Sequence, residues 1–337
     1  MSRTYQGSII SKSPITPAGP YQCGAASGVW TIDQMVGWQK AGLWPTAGNA
    51  FGTVAIFALG NAPSSSTTRN KYTFSGCVNS AATASSAVSY QGAATGNSSV
   101  GIFALGYSPC ASTTRNKYTY SGDVNSSATA SSAVSVTGSA AGNATVGIFA
   151  IGYTPPNSST SRDKYTYAGC VVTTGAAASI ASYGGTAAGN STVGIFSLGY
   201  LCGPGATTTR NKYTYSGDTN ATATSASTAS YLGSAAGTAT VGIFALGYTT
   251  GVSSTRDKYT YSGCINGSAT SASAASQLQS AAGNSTVGIF ALGNAPAKVA
   301  TRDKYTYSGC VNGSATSASV ASSGGAAASN GTTGVNV

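Results

Sequence analysis

The stretch Val241-Gly242-Ile243-Phe244-Ala245-Leu246-Gly247, followed by Thr255-Arg256-Asp257-Lys258-Tyr259-Thr260-Tyr261-Ser262-Gly263, decides the fold because it recurs. Its second half, Lys-Tyr-Thr-Tyr-Ser-Gly, begins at Lys71 (with Phe74), Lys117, Lys164 (with Ala168), Lys212, Lys258 and Lys304, at spacings of 46, 47, 48, 46 and 46 residues. The apolar half lies about fifteen residues upstream each time, as at Ala55-Ile56-Phe57-Ala58-Leu59-Gly60. A fixed period of this length means stacked supersecondary units.

One unit, residues 233–276, reads as four strands. A Gly-Thr pair, Gly-Asn in the other units, sits before the apolar run and predicts a two-residue hairpin whose residues tolerate positive φ. The continuous run 241–246 suits a buried inner strand. In the next strand a period of two places Tyr259 and Tyr261 on one face and Arg256, Lys258 and Thr260 on the other. After Gly263 the chain turns, and the small residues 269–276 are expected to form the outermost strand.

A four-stranded unit of 46–48 residues has the size of a propeller blade. The arrangement resembles a kelch-type blade, with Leu-Gly (Leu105-Gly106, Leu246-Gly247) in place of Gly-Gly and no Trp in the outer strand. The expected fold is therefore all-β: a six-bladed, alternatively seven-bladed, kelch-like β-propeller over residues 47–337, preceded by a short non-repeat arm, residues 1–46. Residues 324–337 align on 184–197 without gaps, half a unit. That half unit either lends a strand to the first blade, making six, or pairs with the arm as a composite seventh. Six is the expectation, since a terminal strand that staples the ring removes an edge.

Composition narrows the function. The chain has 337 residues, no His, no Glu, and six Asp: Asp33, Asp123, Asp163, Asp218, Asp257 and Asp303. Without His there is no Ser-His-Asp or Cys-His system and no usual zinc set, and paired-carboxylate hydrolysis is poorly supplied. No enzyme activity, metal or cofactor is expected. A hydrolase with an unseen site stands as a distant third reading, one that would need a carboxylate cluster in one pocket. The seven cysteines include no C-x-x-C pair. Cys77, Cys170, Cys264 and Cys310 share one repeat position with Asp123 and Asp218, so a partly exposed turn with free thiols is expected. No run reaches the roughly 20 apolar residues of a membrane span, and the first residues lack the apolar segment of a signal peptide. Synthesis in a cytoplasm, without membrane insertion, is the expectation.

The net charge is +10, and twelve of the sixteen basic residues occupy two repeat positions. They are Arg69 and Lys71, Arg115 and Lys117, Arg162 and Lys164, Arg210 and Lys212, Arg256 and Lys258, and Arg302 and Lys304. Paired on one strand face they form a candidate binding set for an acidic partner such as a host-surface glycan. The competing reading is structural: each Arg bonds loop carbonyls within its own blade, with Asp163, Asp257 or Asp303 supporting the turn. The variable loops at 108–110, 155–157 and 201–204 are the expected seat of specificity.

Residues 1–46 hold all three Trp, Trp30, Trp38 and Trp44. A short helix is expected over 32–40, capped by Thr31 or Asp33. The phrases Ser27-Gly28-Val29-Trp30-Thr31-Ile32 and Lys40-Ala41-Gly42-Leu43-Trp44-Pro45 resemble a module of tailed-bacteriophage structural proteins. The Lys-Tyr-Thr-Tyr-Ser-Gly blades resemble phage sequences as well. The resemblance implies a non-enzymatic virion protein, a tail fibre, adhesin or head/tail decoration, assembled in the host cytoplasm. It implies other virion proteins as partners through the arm, anchored by Trp30, Trp38 and Trp44, and several copies per particle. A lectin-like glycan-binding propeller unconnected with virions is the alternative.

Overall fold

The computed structural model describes residues 53–331, Pro63 excepted, together with Asp33, Gln34 and Val36. Those three residues are helical, within the stretch where a helix is expected. The rest of the arm, with Trp30, Trp38, Trp44 and Cys23, lies outside the described residues, as do 47–52 and 332–337.

Residues 53–331 are all-β. They build six four-stranded antiparallel sheets and three small sheets in loops. In the fifth four-stranded sheet the order is Ser234–Gly237, Val241–Ala245, Arg256–Thr260 and Ile265–Ala269, from innermost to outermost. Numbering the sheets by their second strand, the first holds Val54–Ala58, the second Val100–Ala104, the third Val146–Ala150, the fourth Val193–Ser197 and the sixth Val287–Ala291. The innermost strand of the first sheet is Ala326–Ser329, which pairs antiparallel with Val54–Ala58, Ala327 opposite Phe57. The six innermost strands neighbour one another in cyclic order, Ala326–Ser329 returning to Ala93–Gly96. A linear stack of repeats would leave two ends unpartnered. The arrangement is consistent with a β-propeller. No helix among the described residues is long and apolar enough to cross a membrane.

Small residues line the centre because the strands converge there. The inner strands read Ser-Ala-Ala-Gly or a close variant and are buried throughout. A Cβ on Gly242 would stand 3.2 Å from the Ala188 Cβ of the neighbouring sheet and 2.7 Å from the Tyr261 hydroxyl. The apolar second strand supplies the core between sheets, with Ile243 and Phe244 fully buried.

Two local expectations are corrected. The inner hairpin is not a two-residue turn of positive φ. Gly142 and Val146 end the two strands, and Asn143 Oδ1 accepts bonds from the N–H groups of Thr145 and Val146, both 2.9 Å. The position needs a side-chain acceptor, which Thr238 Oγ1 supplies in the fifth sheet at 3.1 and 3.2 Å. The outermost strand is Ile265–Ala269, not 269–276. The Ala/Ser run instead forms the crossover to the next sheet, where Ser273 donates its N–H and its hydroxyl to Asp303, at 2.9 and 2.6 Å.

Positive φ is used elsewhere. The Cys/Asp turn position has φ of 48–55° in all six repeats and is partly exposed, and the six described cysteines are free thiols. The second set is Gln91, Thr137, Gly184, Leu232, Leu278 and Gly324, each two residues before an inner strand, with φ of 50–63°. Their backbones form a closed hydrogen-bonded ring. Each N–H donates to the carbonyl of the preceding member, at 2.6–2.9 Å, and Gln91 closes the circuit on Gly324. The ring bounds a cavity of only about 30 Å³, room for little beyond water.

Candidate ligand-binding face

The structure separates the Arg and the Lys of the repeated pair. All six arginines, Arg69, Arg115, Arg162, Arg210, Arg256 and Arg302, are 0–1% exposed. Each guanidinium lies 4.5 Å from the centre of a Phe ring in the next sheet, Arg210 over Phe244 and Arg302 over Phe57. Arg210 donates to Asp257 (2.9 Å) and Asn266 (2.7 Å) of that sheet, and Arg302 to Asn70 and Asn79, which carries the pattern across the closure. The arginines are therefore clamps between neighbouring sheets. They are neither surface ligands nor, with the exception of an Arg162 bond to the Ala176 carbonyl, partners of carbonyls in their own unit. A guanidinium suits this place because it stacks on an aromatic face while its edge donates in a fork.

Only half of these clamps are ion pairs. Arg115, Arg210 and Arg256 face Asp163, Asp257 and Asp303 at 2.7–2.9 Å. Arg69, Arg162 and Arg302 face asparagines, and burial pushes each of these guanidinium groups down to about 10. The third sheet differs once more. The outer-strand Asn that accepts from the Arg Nη1 is replaced there by Val172, and Arg115 Nη1 is buried without a partner. Val172→Asn should restore the acceptor and raise stability by about 1–2 kcal/mol. Thermal melting checks this, and an unchanged or lower midpoint would show that the group is satisfied in another way.

The six lysines lie on the flank. Lys71 and Lys164 approach Asp123 and Asp218 at 3.7 Å, and each lysine is about a quarter to a third exposed. Lys117, Lys212, Lys258 and Lys304 reach the Cys170, Cys264, Cys310 and Cys77 thiols at 3.5–4.0 Å. Arg and Lys thus share a strand face but not an environment, and the twelve basic residues do not converge on one patch. The five Asp of the repeats are all held in these Arg and Lys pairs. Among the described residues, no group of three His, Cys, Asp or Glu is placed to hold a metal.

A different set of residues does converge. The chain enters each inner strand, and leaves each second strand, at the end where the hydrogen-bonded ring lies. The residue before each ring member bridges to the residue after the Leu-Gly or Ile-Gly pair. These bridges are Tyr90 to Tyr107, Val136 to Tyr153, Tyr183 to Tyr200 and Tyr231 to Tyr248, in the second to fifth sheets. In the sixth and first they are Gln277 to Asn294 and Ser323 to Asn61. Neighbouring rings touch: Tyr153, Tyr183, Tyr200, Tyr231 and Tyr248 form one continuous run with centroids 5.2–5.6 Å apart, and Tyr90 and Tyr107 are a further pair at 5.2 Å. All seven keep some exposure, most at Tyr107. The polar gap opposite holds Lys298, whose Nζ donates to Asn61 Oδ1 at 2.7 Å.

The loops expected to carry specificity stand on this same face. Three of them are ordered as small hairpins that start at arc residues, Tyr107–Ser108 with Cys110–Ala111, Tyr153–Thr154 with Asn157–Ser158, and Tyr200–Leu201 with Gly205–Ala206. The arc was not singled out from the sequence. Its signal lies just beyond the repeated phrases, where Asn61, Tyr107, Tyr153, Tyr200, Tyr248 and Asn294 occupy one repeat position.

No protein-family model and no curated protein matches the sequence. Among solved structures, the chain is similar to that of YjhT, at 10% identity and a TM-score of 0.49, over 62% of this chain and 74% of that one.

Proposed function

We propose that this chain is a six-bladed kelch-like β-propeller that serves as a non-enzymatic binding subunit of a bacteriophage virion, of tail-fibre, adhesin or decoration type. Six sheets in cyclic order, a six-membered axial ring and Ala326–Ser329 as the closing strand support the blade number. The Trp-bearing phrases of residues 1–46 support the virion assignment, with that arm as the docking element and Trp30, Trp38 and Trp44 as its anchors.

The observation that carries a binding role is where the repeat breaks. Buried positions are nearly identical in every unit, whereas the rim of the loop-bearing face changes from tyrosine over four sheets to amide and hydroxyl over two. Packing needs no such asymmetry, and recognition of one ligand by a ring does. Catalysis has no matching support, since every Asp of the repeats is tied up between sheets and none sits beside the arc. Binding residues placed on loops over a rigid scaffold are the general rule.

Immunogold labelling tests the virion assignment. An antibody against the chain should decorate tailed particles purified by density gradient. Label confined to cell debris, with bare particles, would overturn that assignment and leave the lectin-like propeller.

A further inference from the structure

We infer that the tyrosine arc is a saccharide site, taking a glycan chain whose sugars lie along the second to fifth sheets and whose acidic substituent points to Lys298. This inference rests on the reading of the loop-bearing face as the binding face.

The chemistry of the arc is uniform. Each member brings a partly exposed aromatic ring, an apolar surface for the C–H groups of a pyranose, and a phenol hydroxyl that both donates and accepts. The rings of the continuous run step by 5.2–5.6 Å and are tilted by 44–65° to one another, so a glycan chain laid along the run meets their exposed edges and hydroxyls in turn. Opposite the run the rim residues are Asn61, Asn294 and Gln277, with Asn61 Oδ1 held by Lys298 Nζ and the Asn294 amide turned to the Pro296 and Ala297 carbonyls. The cavity at the centre is too small for a sugar, so the chain runs across the rim rather than down the axis.

Charge separates this ligand from the others. A single-stranded nucleic acid needs a basic groove along its backbone. Here the repeated arginines are buried and the repeated lysines face the turn residues of neighbouring sheets. Lys298 is the sole charged side chain at this rim among the described residues. A stable protein partner would need a contact of standard interface size, about 800 Å² on each side. The arc is a band of seven phenols and holds no Leu, Met or Trp. A mostly neutral polymer with sparse acidic groups fits one cation beside seven phenols.

The test uses the full chain on an array of bacterial polysaccharides, neutral and uronic-acid-bearing, alongside Tyr183→Ala, Tyr231→Ala and Lys298→Ala. Melting curves establish that each variant is folded. Each tyrosine variant should lose roughly tenfold in affinity for the glycans the parent binds. Lys298→Ala should weaken only the acidic ones. Three results would overturn the inference. Unchanged glycan binding in both tyrosine variants would move the sugar site elsewhere and leave the binding function standing. Binding to bacterial cells stripped of polysaccharide, lost in the tyrosine variants, would identify a protein receptor on the same face. No binding to glycans or to cells would remove the binding-face reading together with this one.

Discussion

Ending the chain at Gly325 should lower the melting temperature by roughly 5–10 °C. The truncation removes four paired positions opposite Ala55, Ile56, Phe57 and Ala58. It also removes the bond from the Val54 N–H to Asn330 Oδ1, the bond from the Asn330 N–H to the Val54 carbonyl, and the bond from the Ser329 hydroxyl to the Gly283 carbonyl. At about 1 kcal/mol per hydrogen bond the loss is roughly 5 kcal/mol, and each kcal/mol moves the midpoint of a chain this size by about 1–2 °C. Ile56 and Phe57, otherwise buried, would then border an open strand edge. Such an edge pairs with other chains, so size-exclusion chromatography should show association along with the lower midpoint. A truncated chain that melts within about 2 °C of its parent and stays monomeric would show that Ala326–Ser329 does not close the first sheet.

Arg210→Ala should destabilise the protein by about 3–5 kcal/mol, the cost of removing one partner from a buried ion pair. Asp257 would stay buried, 1% exposed, with Asn266 and Ser227 as its remaining partners. The informative comparison is Arg162→Ala. Arg162 makes the same ring contact and equivalent bonds, but to Asn211 and Asn220, so its loss strands no charge and should cost distinctly less. Adding Asp257→Asn to Arg210→Ala should recover part of the loss, because the lone carboxylate becomes a neutral amide. Equal costs at the two arginines, with no recovery in the double variant, would mean that ring stacking rather than charge holds the sheets together.

What the sequence disclosed follows from what one repeat contains. The spacing of Lys-Tyr-Thr-Tyr-Ser-Gly, the alternation of its tyrosines and the apolar run before it are local, and each led to a real strand. The fate of the arginines is not local. The acceptor of Arg210 is Asp257, one whole repeat downstream, so a single unit shows a free cation where the assembled ring shows a filled clamp. The Ala/Ser run at 269–276 misled for another reason: small residues have no amphipathic signature, and the strand before it begins with the exposed Ile265. The tyrosine arc was hidden by the repeat itself. Four of the six units carry Tyr just after the Leu-Gly or Ile-Gly pair, outside the phrases that all six share, and a single repeat does not show that these rings meet.

The axial ring of Gln91, Thr137, Gly184, Leu232, Leu278 and Gly324 sets the electrical character of the mouth. Backbone N–H groups around positive-φ residues commonly gather into a concave nest for anions. Here all six N–H groups point along the circle, each toward the carbonyl before it. Six such dipoles, head to tail around a closed loop, sum to nothing at the centre. The six ring N–H groups are spent on the ring's own carbonyls and are not offered to a phosphate or a carboxylate. Discrimination by charge falls instead to the rim, where an acidic ligand gains only if it reaches Lys298.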